Sequence, residues 1–108
     1  MDFEFTEEHK IFREAIRDFA KREVAPLVNE AEEKQTCPTE LFSKMGKLGY
    51  LCPGYPTEYG GGGLGEVGTC IMVEELARIC SGIVSGLMVQ SGLSTFPILA
   101  HGTEEQKQ

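Results

Sequence analysis

Apolar residues recur at steps of three and four over residues 11–31, and Arg, Lys and Glu occupy many of the positions between them. This spacing places the apolar side chains on one face of an α-helix. Thr6 suits the N-cap, where its hydroxyl accepts a hydrogen bond from a free backbone N–H. Pro26 lies inside the pattern, and a proline removes an intrahelical hydrogen bond and bends the helix. The sequence therefore predicts a helix over about 7–33 with a kink near 22–24.

The rest of the chain divides into shorter helices separated by helix-breaking residues. Pro38 suits the first turn of a second helix and Gly49 its end. The stretch 50–66 contains two prolines and six glycines and is typical of a loop. Ser81 suits the N-cap of a further helix. The predicted elements after the first helix are helices over 38–48, 67–80 and 82–94, a short turn over 97–101 and a helix that starts at 104. The fold class is all-α.

The helix predicted over 82–94 carries no formal charge on any side. One stripe consists of Gly82, Gly86, Val89 and Leu93, and the opposite side of Val84, Leu87, Met88 and Ser91. A helix that is apolar all round is expected to be buried, yet three other modest helices can hardly surround it. Thr103 and Gln106 form a T-x-x-Q capping box for a further helix that has only begun at residue 108. We therefore expect the chain to be part of a larger protein or oligomer.

The charge balance narrows the range of partners. The chain has 108 residues, 17 of them acidic and 10 basic, which gives a formal net charge of −7. Nucleic-acid binding depends on clustered Lys and Arg, so this balance argues against it. Residues 79–103 lack formal charges but contain four Gly, four Ser and a Pro. Their unbroken apolar runs are far shorter than the roughly 20 residues that cross a bilayer, so no membrane span is expected.

The four cysteines do not follow a metal-binding pattern. Cys37, Cys52, Cys70 and Cys80 are 15, 18 and 10 residues apart, without a C-x-x-C pair and with only two histidines in the chain. No metal site is therefore expected. The chain opens on charged residues and not on an apolar run, so we expect reduced thiols in a cytoplasmic protein.

Candidate catalytic motifs are weak. Residues 60–65 satisfy G-x-G-x-x-G, but no strand precedes them and five of the six are glycine, so a nucleotide-binding loop is disfavoured. Glu74 and Glu75 point about 100° apart on a helix and are expected to lie on a solvated face. His9 and His101 have no acidic or nucleophilic partner at a spacing typical of a catalytic site. They are expected to be surface or packing residues. No residue in the chain is assigned a catalytic, cofactor-binding or metal-binding role.

Five segments, taken in order, resemble the N-terminal helical domain of the acyl-CoA dehydrogenases, and the resemblance covers essentially the whole chain. The segments are "FAKREVAPLVNEAE" (19–32), "FSKMGKLGYL" (42–51), "PTEYGGGGLG" (56–65), "VEELARICSG" (73–82) and "PILAHGTEEQKQ" (97–108). Residues 1–108 are thus expected to form that domain, without the middle β domain and the C-terminal helical domain of the family.

The resemblance implies a function for the larger protein. Enzymes of the family oxidise the Cα–Cβ bond of an acyl-CoA thioester: a base removes an α proton, FAD accepts the β hydride, and an electron-transfer flavoprotein usually takes the electrons. They commonly form homotetramers. The catalytic Glu and most flavin contacts belong to the other two domains, so this chain alone is expected to be inactive and to bind no FAD. The alternative is a stand-alone helical interaction module without catalysis.

The same resemblance implies a role for the uncharged helix. The family's corresponding helix is buried, with one side on the acyl-binding cavity and the other on neighbouring helices. By that likeness, the residues expected to line the substrate pocket are Val84, Leu87, Met88 and Ser91. Val84 and Met88, four residues apart, are expected to face the same space.

Overall fold

The computed structural model describes residues 4–108, and every regular element in that range is helical. The α-helices are α1 (Glu7–Phe19), α2 (Ala25–Lys34), α3 (Glu40–Leu48), α4 (Gly65–Ala77), α5 (Ser81–Met88), α6 (Phe96–His101) and α7 (Glu104–Lys107). Two π-helical segments, Ala20–Val24 and Val89–Leu93, and one 3₁₀ turn, Thr57–Tyr59, complete the set. The prediction of an all-α fold is confirmed.

The long first helix contains a π-helical segment at the position where the sequence predicts a kink. Thr6 caps α1 by accepting from the N–H of His9, and the His9 ring accepts from the N–H of Thr6, so the two residues form a capping box. The π segment Ala20–Val24 then joins α1 to α2, with the N–H of Ala25 donating to the carbonyl of Ala20. A π turn admits one extra residue, which lets the helix continue past the missing N–H of Pro26.

The core lies between α1, α3, α4 and α5. Its largest fully buried side chains include Phe19, Ile16, Leu41, Met72 and Leu76. The ring of Tyr50 closes one side of the core: its centroid lies 5.9 Å from that of Phe12, with the rings stacked, and 5.9 Å from that of Phe19, edge-on. Aromatic pairs in these geometries add to the free energy that their burial contributes.

The later helix boundaries differ from the predictions in four places. The helix predicted over 38–48 is α3, Glu40–Leu48, so Pro38 lies before the helix and not in its first turn. The helix predicted over 67–80 is α4, Gly65–Ala77. The helix predicted over 82–94 begins at Ser81, which gives no side-chain cap, and it becomes π-helical at Val89. The segment predicted as a turn over 97–101 is the helix α6. In each case packing against neighbouring helices outweighed local preference. The end of α3 at Gly49, whose φ is +78°, and the capping box of Thr103 and Gln106 are confirmed.

The glycine-rich loop is closed on itself by backbone hydrogen bonds. The N–H groups of Gly61, Gly62, Gly63 and Leu64 donate to the carbonyls of Pro56, Cys52, Tyr55 and Pro53, over 2.8–3.0 Å. A phosphate-binding loop needs such N–H groups free to point at the anion. The expectation that this loop is not a nucleotide-binding loop is therefore supported by its geometry.

Within the described residues, the run Ser81–His101 is long and apolar enough to cross a membrane by length and composition, and 22% of it is buried inside the domain. A core helix that packs on its own domain with one face and on another domain with the other face meets the same criterion of length and composition. The expectation of no membrane span stays a prediction.

Candidate functional site

The four residues predicted to line a substrate pocket do not share one open face. Val84, Leu87 and Ser91 are buried in this domain, at 3%, 1% and 6% exposure, whereas Met88 is 45% exposed. The expectation that Val84 and Met88 face the same space is wrong: one turn apart, they fall on either side of the boundary between core and surface. Their role in a pocket stays a prediction.

The other side of the same helix is open. The expectation that the other helices of this chain can hardly surround the uncharged helix is confirmed for the described residues. We call the exposed apolar side chains of this region the open face: Met88, Val89, Leu93, Phe96 and Ile98. Soluble domains rarely expose apolar side chains in such a contiguous group, and where they do, the surface usually meets another protein or a ligand. Val89 and Leu93 were absent from the predicted pocket, although the stripe that contains them was visible in the sequence.

Hydroxyl groups stabilise the π-helical segment that carries part of the open face. The hydroxyl of Ser94 donates to the carbonyl of Val89 at 2.9 Å, and that of Thr95 to the carbonyl of Gln90 at 2.7 Å. Ser91 donates to the carbonyls of Leu87 and Leu51. Its hydroxyl ties the helix to the loop after α3.

Two tyrosines connect the glycine-rich loop to the C-terminal helices. The hydroxyls of Tyr55 and Thr95 lie 2.6 Å apart. Tyr59 donates to the carboxylate of Glu104 at 2.7 Å, and the ammonium of Lys107 lies 5.8 Å from the centroid of the Tyr59 ring. The hydrogen bond to Glu104 raises the pKa of Tyr59 to about 12. These contacts fix α6 and α7, and with them one edge of the open face, to the rest of the domain.

An ion-pair cluster joins α1 to α4. Glu75 is 2% exposed, and its carboxylate lies 2.6 Å from the guanidinium of Arg13 and 2.9 Å from that of Arg17. Hydrogen bonds from Arg17, and after them those from Arg13, lower the pKa of Glu75 although burial acts in the opposite direction. The prediction that both glutamates lie on a solvated face is right for Glu74, which is 61% exposed, and wrong for Glu75.

The sequence contains a signal for this cluster that the helix-face argument missed. Arg13 and Arg17 are four residues apart on α1, so they form a basic pair on one face. Glu75 lies four residues after the buried Ile71 and directly before the buried Leu76. A carboxylate at such a position needs buried cationic partners.

The remaining polar residues offer no catalytic set. His9 takes part in the cap of α1, and His101 lies exposed at the end of α6. Across residues 4–108, no three His, Cys, Asp or Glu side chains are placed to hold a metal ion. What this domain offers is an apolar surface on a helix without charge, which suits binding of an apolar group.

Comparison with known proteins gives a consistent result. The family model described as "Acyl-CoA dehydrogenase, N-terminal domain" matches residues 6–108. A short-chain specific acyl-CoA dehydrogenase of Clostridium acetobutylicum is 39% identical, over 100% of this chain and 28% of that protein.

Two solved structures are similar as well. The butyryl-CoA dehydrogenase of Megasphaera elsdenii aligns with a TM-score of 0.88 and 33% identity, over 99% of this chain and 29% of that one. The second structure is described as "Electron transferring flavoprotein of Acidaminococcus fermentans: Towards a mechanism of flavin-based electron bifurcation". One of its chains aligns with a TM-score of 0.92 and 36% identity, over 100% of this chain and 28% of that one. The chain thus spans little more than a quarter of the length of these proteins.

Proposed function

The chain belongs to the acyl-CoA dehydrogenase family as its N-terminal domain, and we propose that in the whole protein it supplies one wall of the cavity that holds the acyl chain of an acyl-CoA thioester. The whole protein then oxidises the Cα–Cβ bond of that thioester with FAD. This domain shapes the cavity and keeps water out of it. The acid–base chemistry resides elsewhere in the protein.

The open face is the observation that carries this proposal. An acyl chain is apolar, and a cavity that binds it needs side chains without charge. Met88 and Val89 are each 45% exposed, on the helix that has no charged residue. With the more exposed Leu93, they are the apolar side chains with which α5 and the following π segment can reach a ligand from this domain.

The buried residues of the same helix have a supporting role in this proposal. Val84 and Leu87 pack into the core cluster beneath the open face. Ser91 anchors the helix through its hydroxyl. They hold the backbone in place, so Met88 and Val89 present a fixed surface to the acyl chain.

FAD binding in the whole protein rests on residues outside this chain. This proposal is supported by the glycine-rich loop, in which the N–H groups of residues 61–64 donate within the loop. An electron-transfer flavoprotein as electron acceptor, assembly into a homo-oligomer and a cytoplasmic location complete the proposal.

The first experiment is to express the protein encoded by the complete reading frame that contains this chain. We expect a continuation into further domains, a bound flavin visible in the absorption spectrum and acyl-CoA-dependent reduction of that flavin. A reading frame that stops at codon 108, or a protein without acyl-CoA-dependent flavin reduction, would overturn the proposal in favour of a stand-alone interaction module.

The second experiment tests whether Met88 lies in the wall of the acyl cavity. In the complete protein, Met88→Trp shortens the cavity, so kcat/KM should fall in a graded way as the acyl chain lengthens, by roughly 1 to 3 kcal/mol of transition-state binding for each excluded methylene. Val84→Leu is the matched control, since it adds one methylene to the buried side of the same helix. It should lower the melting temperature and leave the chain-length profile unchanged. A uniform loss over all chain lengths for Met88→Trp would show that the residue only packs.

A further inference from the structure

Two of the four cysteines line the same cavity. Cys37 lies exposed in the connection between α2 and α3, and Cys80 lies half-buried as the N-cap of α5. Both border a cavity of about 360 Å³, together with Glu32, Gly82 and Ile83. The thiol of Cys80 points toward the carboxylate of Glu32, with 3.8 Å between Sγ and Oε1. The two residues are 43 positions apart in sequence (80 minus 37) and are brought together by the fold.

Each of the two thiols lies next to a glycine of α5. The Sγ atom of Cys37 lies 3.7 Å from the position that a β-carbon at Gly86 would occupy, and the Sγ atom of Cys80 lies 3.8 Å from the corresponding position at Gly82. Gly82 and Gly86 are four residues apart, or about 6 Å along the helix axis. The two sulfurs therefore lie beside neighbouring turns of one helix.

We propose that Cys37 and Cys80 form a redox-sensitive pair that a hydroperoxide converts into a disulfide. The exposed Cys37 thiolate attacks the peroxide, the O–O bond breaks, and a sulfenic acid and hydroxide are formed. The Cys80 sulfur then attacks the Cys37 sulfur; the S–S bond forms, the S–O bond breaks, and hydroxide leaves. Glu32 is placed to receive the Cys80 proton. In total, two thiols and one hydrogen peroxide give one disulfide and two waters.

The last step requires a local movement. A disulfide holds the two sulfurs about 2 Å apart and the Cα atoms within about 7 Å. Both side chains must therefore rotate about χ1, and the connection of residues 35–39 must approach α5. This connection is short and mostly exposed, and it begins at Gln35, whose φ of +54° ends α2. The disulfide ties it to the helix that carries part of the open face.

Peptide mapping of the complete protein tests the proposal directly. Trypsin cleaves after Lys34, Lys44, Lys47, Arg78 and Lys107, so Cys37 and Cys80 fall on different peptides, 35–44 and 79–107, and both other cysteines of this chain fall on 48–78. After treatment of the folded protein with hydrogen peroxide and alkylation of the remaining thiols, we expect the 35–44 and 79–107 peptides joined by a bond that dithiothreitol cleaves. Alkylated 48–78 should remain the main form of that peptide.

Single substitutions separate the pair from ordinary thiol oxidation. In Cys80→Ser, Cys37 lacks its partner, so its sulfenic acid should persist and label with dimedone, whereas the unsubstituted protein should label weakly there. Cys70→Ser is the matched control, because Cys70 is also exposed but lies outside this cavity, and it should leave the joined peptide unchanged.

The linked form should also melt at a higher temperature than the reduced form, since a cross-link over 43 residues restricts the unfolded chain. Strong dimedone labelling of Cys37 in the unsubstituted protein, or joined peptides that appear equally in urea-unfolded protein, would overturn the proposal. So would oxidation that leaves peptides 35–44 and 79–107 separate.

Discussion

Arg13 and Glu75 form an ion pair between α1 and α4, with 2.6 Å between Nη1 of the guanidinium and Oε1 of the carboxylate. The Glu75 side chain is 2% exposed and that of Arg13 is 19% exposed, so both charges are largely removed from water. Arg17 binds the same carboxylate from the next turn of α1. Arg13, Arg17 and Glu75 thus join α1 to α4.

Removal of the Glu75 carboxylate should destabilise the domain. In Glu75→Ala, Arg17 loses the carboxylate that it binds, and Arg13 keeps only the exposed Glu74. We expect a loss of about 2 to 3 kcal/mol in the free energy of unfolding, less than for a fully buried pair because Arg17 is half-exposed. Glu74→Ala is the matched control, since Glu74 is 61% exposed, and it should change the free energy by about 0.5 kcal/mol or less. Urea denaturation measures the free energy of unfolding of both variants. Equal losses in the two would contradict the role assigned to Glu75.

Stability should fall in acid, and the sign follows from the pKa of Glu75. Its folded-state pKa lies below the ordinary value of 4.5, so the unfolded chain binds a proton more readily than the folded one. The contribution of this carboxylate is complete above about pH 4.5 and is lost as the pH falls through the folded-state pKa. Unfolding free energies measured from about pH 7 to about pH 3 should decline less steeply for Glu75→Gln than for the unsubstituted chain. If the two stability profiles were parallel, carboxylates other than Glu75 would be responsible for the loss of stability in acid.

Two glycine substitutions should have opposite effects. A β-carbon at Gly54 would lie 2.6 Å from Oγ1 of Thr69 and 2.7 Å from the carbonyl oxygen of Gly65. Gly54→Ala should therefore force the loop away from α4 and cost about 1 to 3 kcal/mol. At Gly46, within α3, a β-carbon meets no atom within 4 Å, and Gly46→Ala should add about 0.5 to 1 kcal/mol. Thermal denaturation of the two variants measures both effects. A stabilised Gly54→Ala variant would show that the loop moves away from Thr69 and Gly65 without cost.

The isolated chain should self-associate through the open face. Leu93 is 78% exposed and Phe96 is 57% exposed, and water contact with this surface is unfavourable. Leu93→Glu should shift the chain toward the monomer in gel filtration with light scattering. Leu48→Glu, at the end of α3, changes a leucine that is 53% exposed outside the open face and serves as the control. A cooperatively melting monomer at high concentration without any substitution would contradict the expectation.

The isolated chain should not retain FAD. The N–H groups of residues 61–64 in its glycine-rich loop donate within the loop, so they are not free to bind a pyrophosphate. After incubation with excess FAD and removal of free flavin, the visible spectrum should lack a flavin band. A stoichiometric band would mean that this domain alone binds the cofactor.

The sequence by itself determined the features that depend on neighbouring residues. Thr6 and Thr103 cap helices because the residue three positions later can complete the box. Pro26 places the kink because the missing N–H acts within one turn. Gly49 ends α3 because its backbone adopts a left-handed conformation that other residues avoid. The apolar spacing that marks these helices is local as well.

Only the tertiary structure decided which of two similar faces is buried. Within the uncharged helix, the stripe of Val84, Leu87 and Ser91 packs inward and that of Val89 and Leu93 stays open, although the sequence shows two nearly equivalent apolar stripes. Glu74 and Glu75 are adjacent and chemically identical, yet only Glu75 is buried and binds both Arg13 and Arg17, 62 and 58 positions away. The exposed Glu74 reaches Arg13 alone. Burial depends on partners that are distant in sequence, and a local pattern carries no information about where the fold brings them.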